Sequence, residues 1–117
     1  VFNGTPVSTS ETITGVTGRV VAWGQDGADR IDASALGQST EIRGGAKGDT
    51  IFGGSGENVL YGDSDGGEGG ADSIVGGGSA DLIYADGPEG HSDSIDGGAG
   101  DDVIFADPIQ GAEGGND

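Results

Sequence analysis

The chain has no cysteine among its 117 residues, so neither a disulfide nor a thiolate zinc site can be built from it. Basic residues are almost as scarce: four stand against 21 acidic ones, for a formal charge of -17. Nucleic acid and anionic membrane surfaces are held by lysine and arginine, so this balance argues against both and favours divalent cations. No apolar run approaches ~20 residues, which excludes membrane insertion as a helix. Only 32% of the chain is hydrophobic. By composition alone it reads as disordered, because too little apolar surface can be buried to offset the entropy of ordering. No signal peptide is visible and the first residue is valine, so the native N-terminus is expected upstream.

Glycine is what the chain has in excess: 28 residues, where ~7% is usual. It recurs in the stretches "GGAKGDTIF", "GGSGENVLY", "GGGSADLIY" and "GGAGDDVIF". Aligned on their aliphatic residue, the copies place Ile31, Ile42, Ile51, Leu60, Ile74, Ile83, Ile95 and Ile104 at steps of 11, 9, 9, 14, 9, 12 and 9. Two positions earlier stand Asp29, Thr40, Asp49, Asn58, Asp72, Asp81, Asp93 and Asp102. A repeat of nine is thus the organising unit. The longer steps are turn insertions at Ala33, Gly62 and Ala85. Upstream the frame runs less regularly through Ala22, Ile13 and Phe2, with Val20 and Glu11 at the acidic position.

This pattern, G-G-x-G-x-D-x-U-x with U aliphatic, resembles the RTX, or haemolysin-type, calcium-binding repeat. Three segments follow: degenerate threonine-rich coils over 1–23, the repeat array over 24–105, and the cut start of a further repeat over 106–117. The resemblance implies an all-β fold, a right-handed parallel β-roll in which two nonapeptides make each turn and Ca2+ sits between turns. Residue chemistry agrees. Glycine permits tight turns and close carbonyls. The x-U-x triplet makes a minimal strand with U pointing inward. Carbonyls and carboxylates supply the six to eight oxygens that calcium takes. One aliphatic residue per nine is too little to order the chain alone, so folding is expected to require calcium.

If successive nonapeptides alternate sides, the implied ligands fall into two rows. One is Asp29, Asp49, Asp72 and Asp93, preceded by Glu11; the other is Thr40, Asn58, Asp81 and Asp102, preceded by Val20. The first is expected to be metallated along its length, the second only toward its C-terminal half. The same alternation gathers Trp23, Arg43, Tyr61, Tyr84 and Phe105 on one outer face, either as mere cover for the sheet or as a contact face. Its partner would be another copy, a neighbouring domain or a glycan. Asp63 and Asp65 open an EF-hand-like stretch that lacks the twelve-residue spacing and closing Glu, so an acidic loop competes with an additional metal site there. Asp117 is a further metal candidate. His91 reads as a solvated loop residue, and Thr9 to Gly18 as an ordinary coil start.

No catalytic constellation appears, and the chain is not read as an enzyme. "GAEGGND" at the end and "VFNG" at the start look like cuts within a longer array, and 117 residues as one tandem or fibre period is a bolder expectation. The reading is a calcium-dependent structural segment of a large secreted or cell-surface bacterial protein, able to assemble through its aromatic face. The alternative is the calcium-binding C-terminal module of a type I-secreted enzyme or an adhesin.

Overall fold

Glycine-rich turns alternate with triplets centred on one aliphatic residue, and each triplet extends as a strand. A computed structural model of the chain describes residues 10–12, as backbone only, 18–63, 69–85 and 91–106. Phe2, Ile13, Asp65, Asp117, "VFNG" and "GAEGGND" lie outside the described residues. The strands are β1 (Ser10–Thr12), β2 (Val20–Asp26), β3 (Arg30–Asp32), β4 (Thr40–Ala46) and β5 (Thr50–Phe52). They continue with β6 (Asn58–Asp63), β7 (Ser73–Gly77), β8 (Leu82–Tyr84), β9 (Ser94–Gly98) and β10 (Val103–Phe105).

Odd and even strands separate into two parallel sheets, β1-β3-β5-β7-β9 and β10-β8-β6-β4-β2. Each coil therefore contributes one strand to each sheet, as two nonapeptides per turn require. The aliphatic positions stack in register: Ile31 on Ile51 on Ile74 on Ile95 in one sheet, and Ala22 on Ile42 on Leu60 on Ile83 on Ile104 in the other. Strands of period two send these residues to a shared interior. Ile42, Ile51, Leu60, Ile74 and Ile83 are wholly buried there.

Two features depart from a pure triplet pattern. Strands β2, β4 and β6 are six or seven residues long, because pairing continues into the glycine turn through Gln25–Gly45, Asp26–Ala46 and Gly45–Asp63. The insertion at Ala33 and the turn after it also feed the core: Ala33 and Leu36 are buried, with the Leu36 N–H closing a turn onto the Ala33 carbonyl at 2.9 Å. Ile104, by contrast, is 42% exposed, because β10 is the outermost strand of its sheet and no described coil covers it.

Candidate metal centres between the coils

The residue two before each aliphatic position sits where the glycine turn enters the strand, so its side chain lies at the edge of the core and reaches along the coil axis. From Asp49 in one row and Asn58 in the other, Oδ1 of each such residue accepts the backbone N–H of its counterpart one coil earlier. Asp29 N–H donates to Asp49 at 2.7 Å, Asp49 to Asp72 at 2.7 Å, and Asp72 to Asp93 at 2.8 Å. On the other side Thr40 donates to Asn58 at 3.2 Å, Asn58 to Asp81 at 2.8 Å, and Asp81 to Asp102 at 2.9 Å. These are the two rows expected from the repeat alternation, joined member by member.

The second oxygen carries the chemistry. Oδ2 of Asp29, Asp49, Asp72 and Asp81 is buried with no hydrogen-bond donor. A buried carboxylate oxygen left this way is costly unless a cation faces it. Beside each lies a backbone carbonyl of the adjoining coil. A methyl group built on Gly76 would fall 2.5 Å from Asp81 Oδ2 and against the Gly97 carbonyl oxygen, so only glycine leaves that space open. The same convergence joins Asp29 Oδ2 to the Gly44 carbonyl, Asp49 Oδ2 to that of Gly62, and Asp72 Oδ2 to that of Ala85. Each cradle offers oxygen only, from carboxylate and carbonyl, which is the donor set of a hard divalent cation such as Ca2+. Among the described residues no three acidic or histidine side chains converge. That follows from the construction, since carbonyls supply part of every cradle.

Electrostatics points the same way. Burial pushes the Asp49 carboxyl up to about 7, and the charges of Asp29 and Asp63 add to the effect against the opposing hydrogen bond from Asp29. Burial pushes Asp72 up to about 8, with Asp63, Asp49 and Asp93 contributing like charge. Asp29 and Asp81 are also raised by burial. A row of carboxylates held in this way is poised for a cation.

The other residues singled out in the sequence fall as follows. Asn58 is buried in the second row, with both ends of its amide hydrogen-bonded. Asp102 is partly buried. Asp63 is buried at the end of β6, where it accepts the Gly70 N–H at 3.0 Å and lies 4.0 Å from His91 Nδ1. This contact spans its own insertion. The aromatic column exists: the Arg43 guanidinium lies 4.4 Å from the Tyr61 ring centre, Tyr61 stacks on Tyr84 at 5.2 Å, and Tyr84 on Phe105 at 5.0 Å. Trp23 adjoins Arg43 in register and is 49% exposed. Sequence reasoning missed the pair on the opposite sheet, where Arg30 sits 4.7 Å from the Phe52 ring centre. Its signal was the same cross-strand register, Arg30 beside Thr50 and Asp32 beside Phe52.

Comparison with known families finds the RTX calcium-binding nonapeptide repeat in four copies, over residues 7–35, 39–68, 67–87 and 90–108. No curated protein and no solved structure matches the chain.

Proposed function

The chain belongs to the RTX calcium-binding nonapeptide repeat family, and on that premise we propose that it is a calcium-dependent structural segment of a large secreted or cell-surface bacterial protein that associates with further copies of itself. Repeats of this family bind several Ca2+ ions per array and form a structural module that is not catalytic by itself; such modules are typical of secreted proteins. Among the described residues no helix is long and apolar enough to cross a membrane. The ligands we assign are Asp29, Asp49, Asp72 and Asp81, each with the carbonyl beside it, and Asp93 and Asp102 at the equivalent places one coil on. The observation that carries this reading is the set of buried Oδ2 atoms facing carbonyl oxygens with no donor between them. Bound Ca2+ supplies the positive charge that lets these oxygens stay buried and ionised. A chain of charge -17 would remain unfolded where calcium is scarce and fold on reaching a calcium-rich exterior, as type I secretion requires.

Association rests on a separate observation. The exposed large hydrophobics of the described residues are Trp23, Val103 and Ile104, and all lie on β2 and β10, the two outermost strands of one sheet. In that sheet the columns run Val21 to Val103, Ala22 to Ile104 and Trp23 to Phe105. A second copy placed end to end would set β2 beside β10 and continue the aromatic column, a heterologous contact that propagates into a fibre. A glycan fits less well, because sugars stack on ring faces and these rings spend their faces on one another and on Arg43.

The test is a calcium titration read by far-UV circular dichroism and by sedimentation on the same samples, with Trp23→Ser/Phe105→Ser beside the wild type. We expect strand signal to appear cooperatively with calcium in both, and concentration-dependent association in the wild type alone. Spectra identical in chelator and calcium would overturn the calcium reading. Equal association by the variant would overturn the contact through Trp23 and Phe105, and a wild type that folds but stays monomeric would overturn self-assembly and favour a module serving a secreted enzyme or adhesin.

A further inference from the structure

In the row of Thr40, Asn58, Asp81 and Asp102 one rung differs chemically from the rest. Asn58 Oδ1 accepts the Thr40 hydroxyl at 2.7 Å, the Thr40 N–H at 3.2 Å and the Gly54 N–H at 3.3 Å. Two of these three donors are backbone N–H groups that cannot reverse their role, so they fix which end of the amide is oxygen. The other end, Nδ2, donates toward the Gly54 carbonyl at 2.9 Å, the Gly76 carbonyl at 3.1 Å and Asp81 Oδ1 at 2.9 Å. All three partners are hard oxygens, two carbonyls and a carboxylate, the set that forms the oxygen cradles elsewhere in the coil.

The comparison with the next rung is direct. A methyl group on Gly76 would meet Asp81 Oδ2 beside the Gly97 carbonyl, and one on Gly53 would meet Asn58 Nδ2, at 2.9 Å, beside the Gly76 carbonyl. Nδ2 of Asn58 and Oδ2 of Asp81 thus hold equivalent places. An oxygen in that place adds to a crowd of acceptors, and for Asp81 it is left without a donor. A nitrogen bearing two hydrogens answers the same acceptors with no metal. The rung is also the shortest in either row, 18 residues or two uninterrupted nonapeptides from Thr40 to Asn58.

We propose that the Asn58 amide stands in the place of a calcium ion, so that Thr40, Asn58 and Asp81 clasp three successive coils without metal. The inference rests on the calcium reading above and replaces the ligand role expected for Asn58 from its position in the repeat. It makes the two edges of the roll unequal: one is tied by calcium along its described length, whereas the other takes its metal only beyond Asn58, at Asp81 and Asp102. Calcium-free chain would then keep its residual order around β4, β6 and β8.

The test counts Ca2+ ions on the 117-residue chain and on Asn58→Asp by native mass spectrometry at saturating calcium. Circular dichroism gives the calcium midpoint of folding for each. We expect the variant to hold one more ion than the wild type and to need several-fold more calcium to fold, since two facing carboxylates replace a hydrogen-bonded pair. An unchanged ion count would overturn the inference. The wild type gives an independent readout by 15N NMR: the Asn58 side-chain NH2 should exchange slowly, and its resonance should be unmoved by calcium added after folding. Fast exchange, or a shift tracking calcium at that stage, would overturn the clasp even if Asn58→Asp failed to fold. A wild type that carries no calcium at all would instead defeat the calcium reading on which the inference stands.

Discussion

Asp49 donates its backbone N–H to Oδ1 of Asp72 at 2.7 Å across 23 residues of chain, and the Oδ2 of that same Asp72 is buried without a donor. One carboxylate thus ties two coils with one oxygen and offers the other to a cation. The two roles separate by substitution. Asp72→Asn keeps the acceptor and removes the charge, so the chain should lose one calcium ion yet still fold in excess calcium. Asp72→Ala also leaves the buried Asp49 N–H unpaired, costing about 1–3 kcal/mol beyond the lost ion. Ion counts by native mass spectrometry, with calcium midpoints by circular dichroism, distinguish the two.

The raised carboxyls predict how acidity acts on the metal-free chain. Asp49 at about 7 and Asp72 at about 8 bind protons more tightly when folded than an ordinary carboxylate near 3.8 does. Their contribution to metal-free folding is therefore fully present below about pH 4 and is lost as pH rises through about 7 to 8. Calcium-stripped protein should gain strand signal on acidification from pH 8 to 4. Protons compete with calcium for the same oxygens, so the calcium midpoint should rise between pH 8 and pH 6. Flat behaviour in both measurements would show that these carboxylates are not the buried pair described.

Backbone strain offers a stabilising change. Lys47 has φ 78° and Gln25 has φ 82°, in the left-handed region that glycine adopts freely, and Gly27 and Gly100 at the repeat position of Lys47 have φ 125° and 133°. Lys47→Gly should raise stability in calcium by about 0.5–1 kcal/mol, the usual penalty for a side chain there less the entropy glycine brings. Urea unfolding at fixed calcium measures it, and a loss of stability would mean that the Lys47 side chain contributes more than the strain costs.

Two aliphatic residues that are identical in repeat position should respond differently to truncation. Leu60 is wholly buried between neighbouring coils, so Leu60→Ala should cost about 2–5 kcal/mol and abolish folding at ordinary calcium. Ile104 is 42% exposed at the end of the sheet, and Ile104→Ala should cost about 1 kcal/mol or less in the unassociated chain. Calcium midpoints of the two variants, compared below the concentration of association, check the difference.

Much of the site was legible before any coordinates. Because the coil closes every two nonapeptides, register follows from counting, and counting put Asp49 against Asp72 and Asn58 against Asp81. The aromatic column of Tyr61, Tyr84 and Phe105 came from the same arithmetic. Leu36 was not legible: it stands at a glycine position of the repeat, six before Ile42, just after the Ala33 insertion, and only the folded path shows it dipping into the core. Asp63 was read as part of a loop, yet its carboxylate is buried against the Gly70 N–H, a contact that the insertion makes across itself.

The sequence by itself determined the two-sheet coil, the two rows of residues that tie one coil to the next and the calcium-binding character of the repeat, because a nine-residue period fixes which side chains face inward, outward or along the axis. Tertiary structure decided what no period encodes: that Ile104 lies open on the last described strand, that Arg30 covers Phe52, and that the Asn58 amide turns its nitrogen toward the Gly76 carbonyl. Position in a repeat sets direction, whereas burial and hydrogen bonding depend on which atoms of the adjoining coil arrive opposite, and those are known only once the coils are stacked.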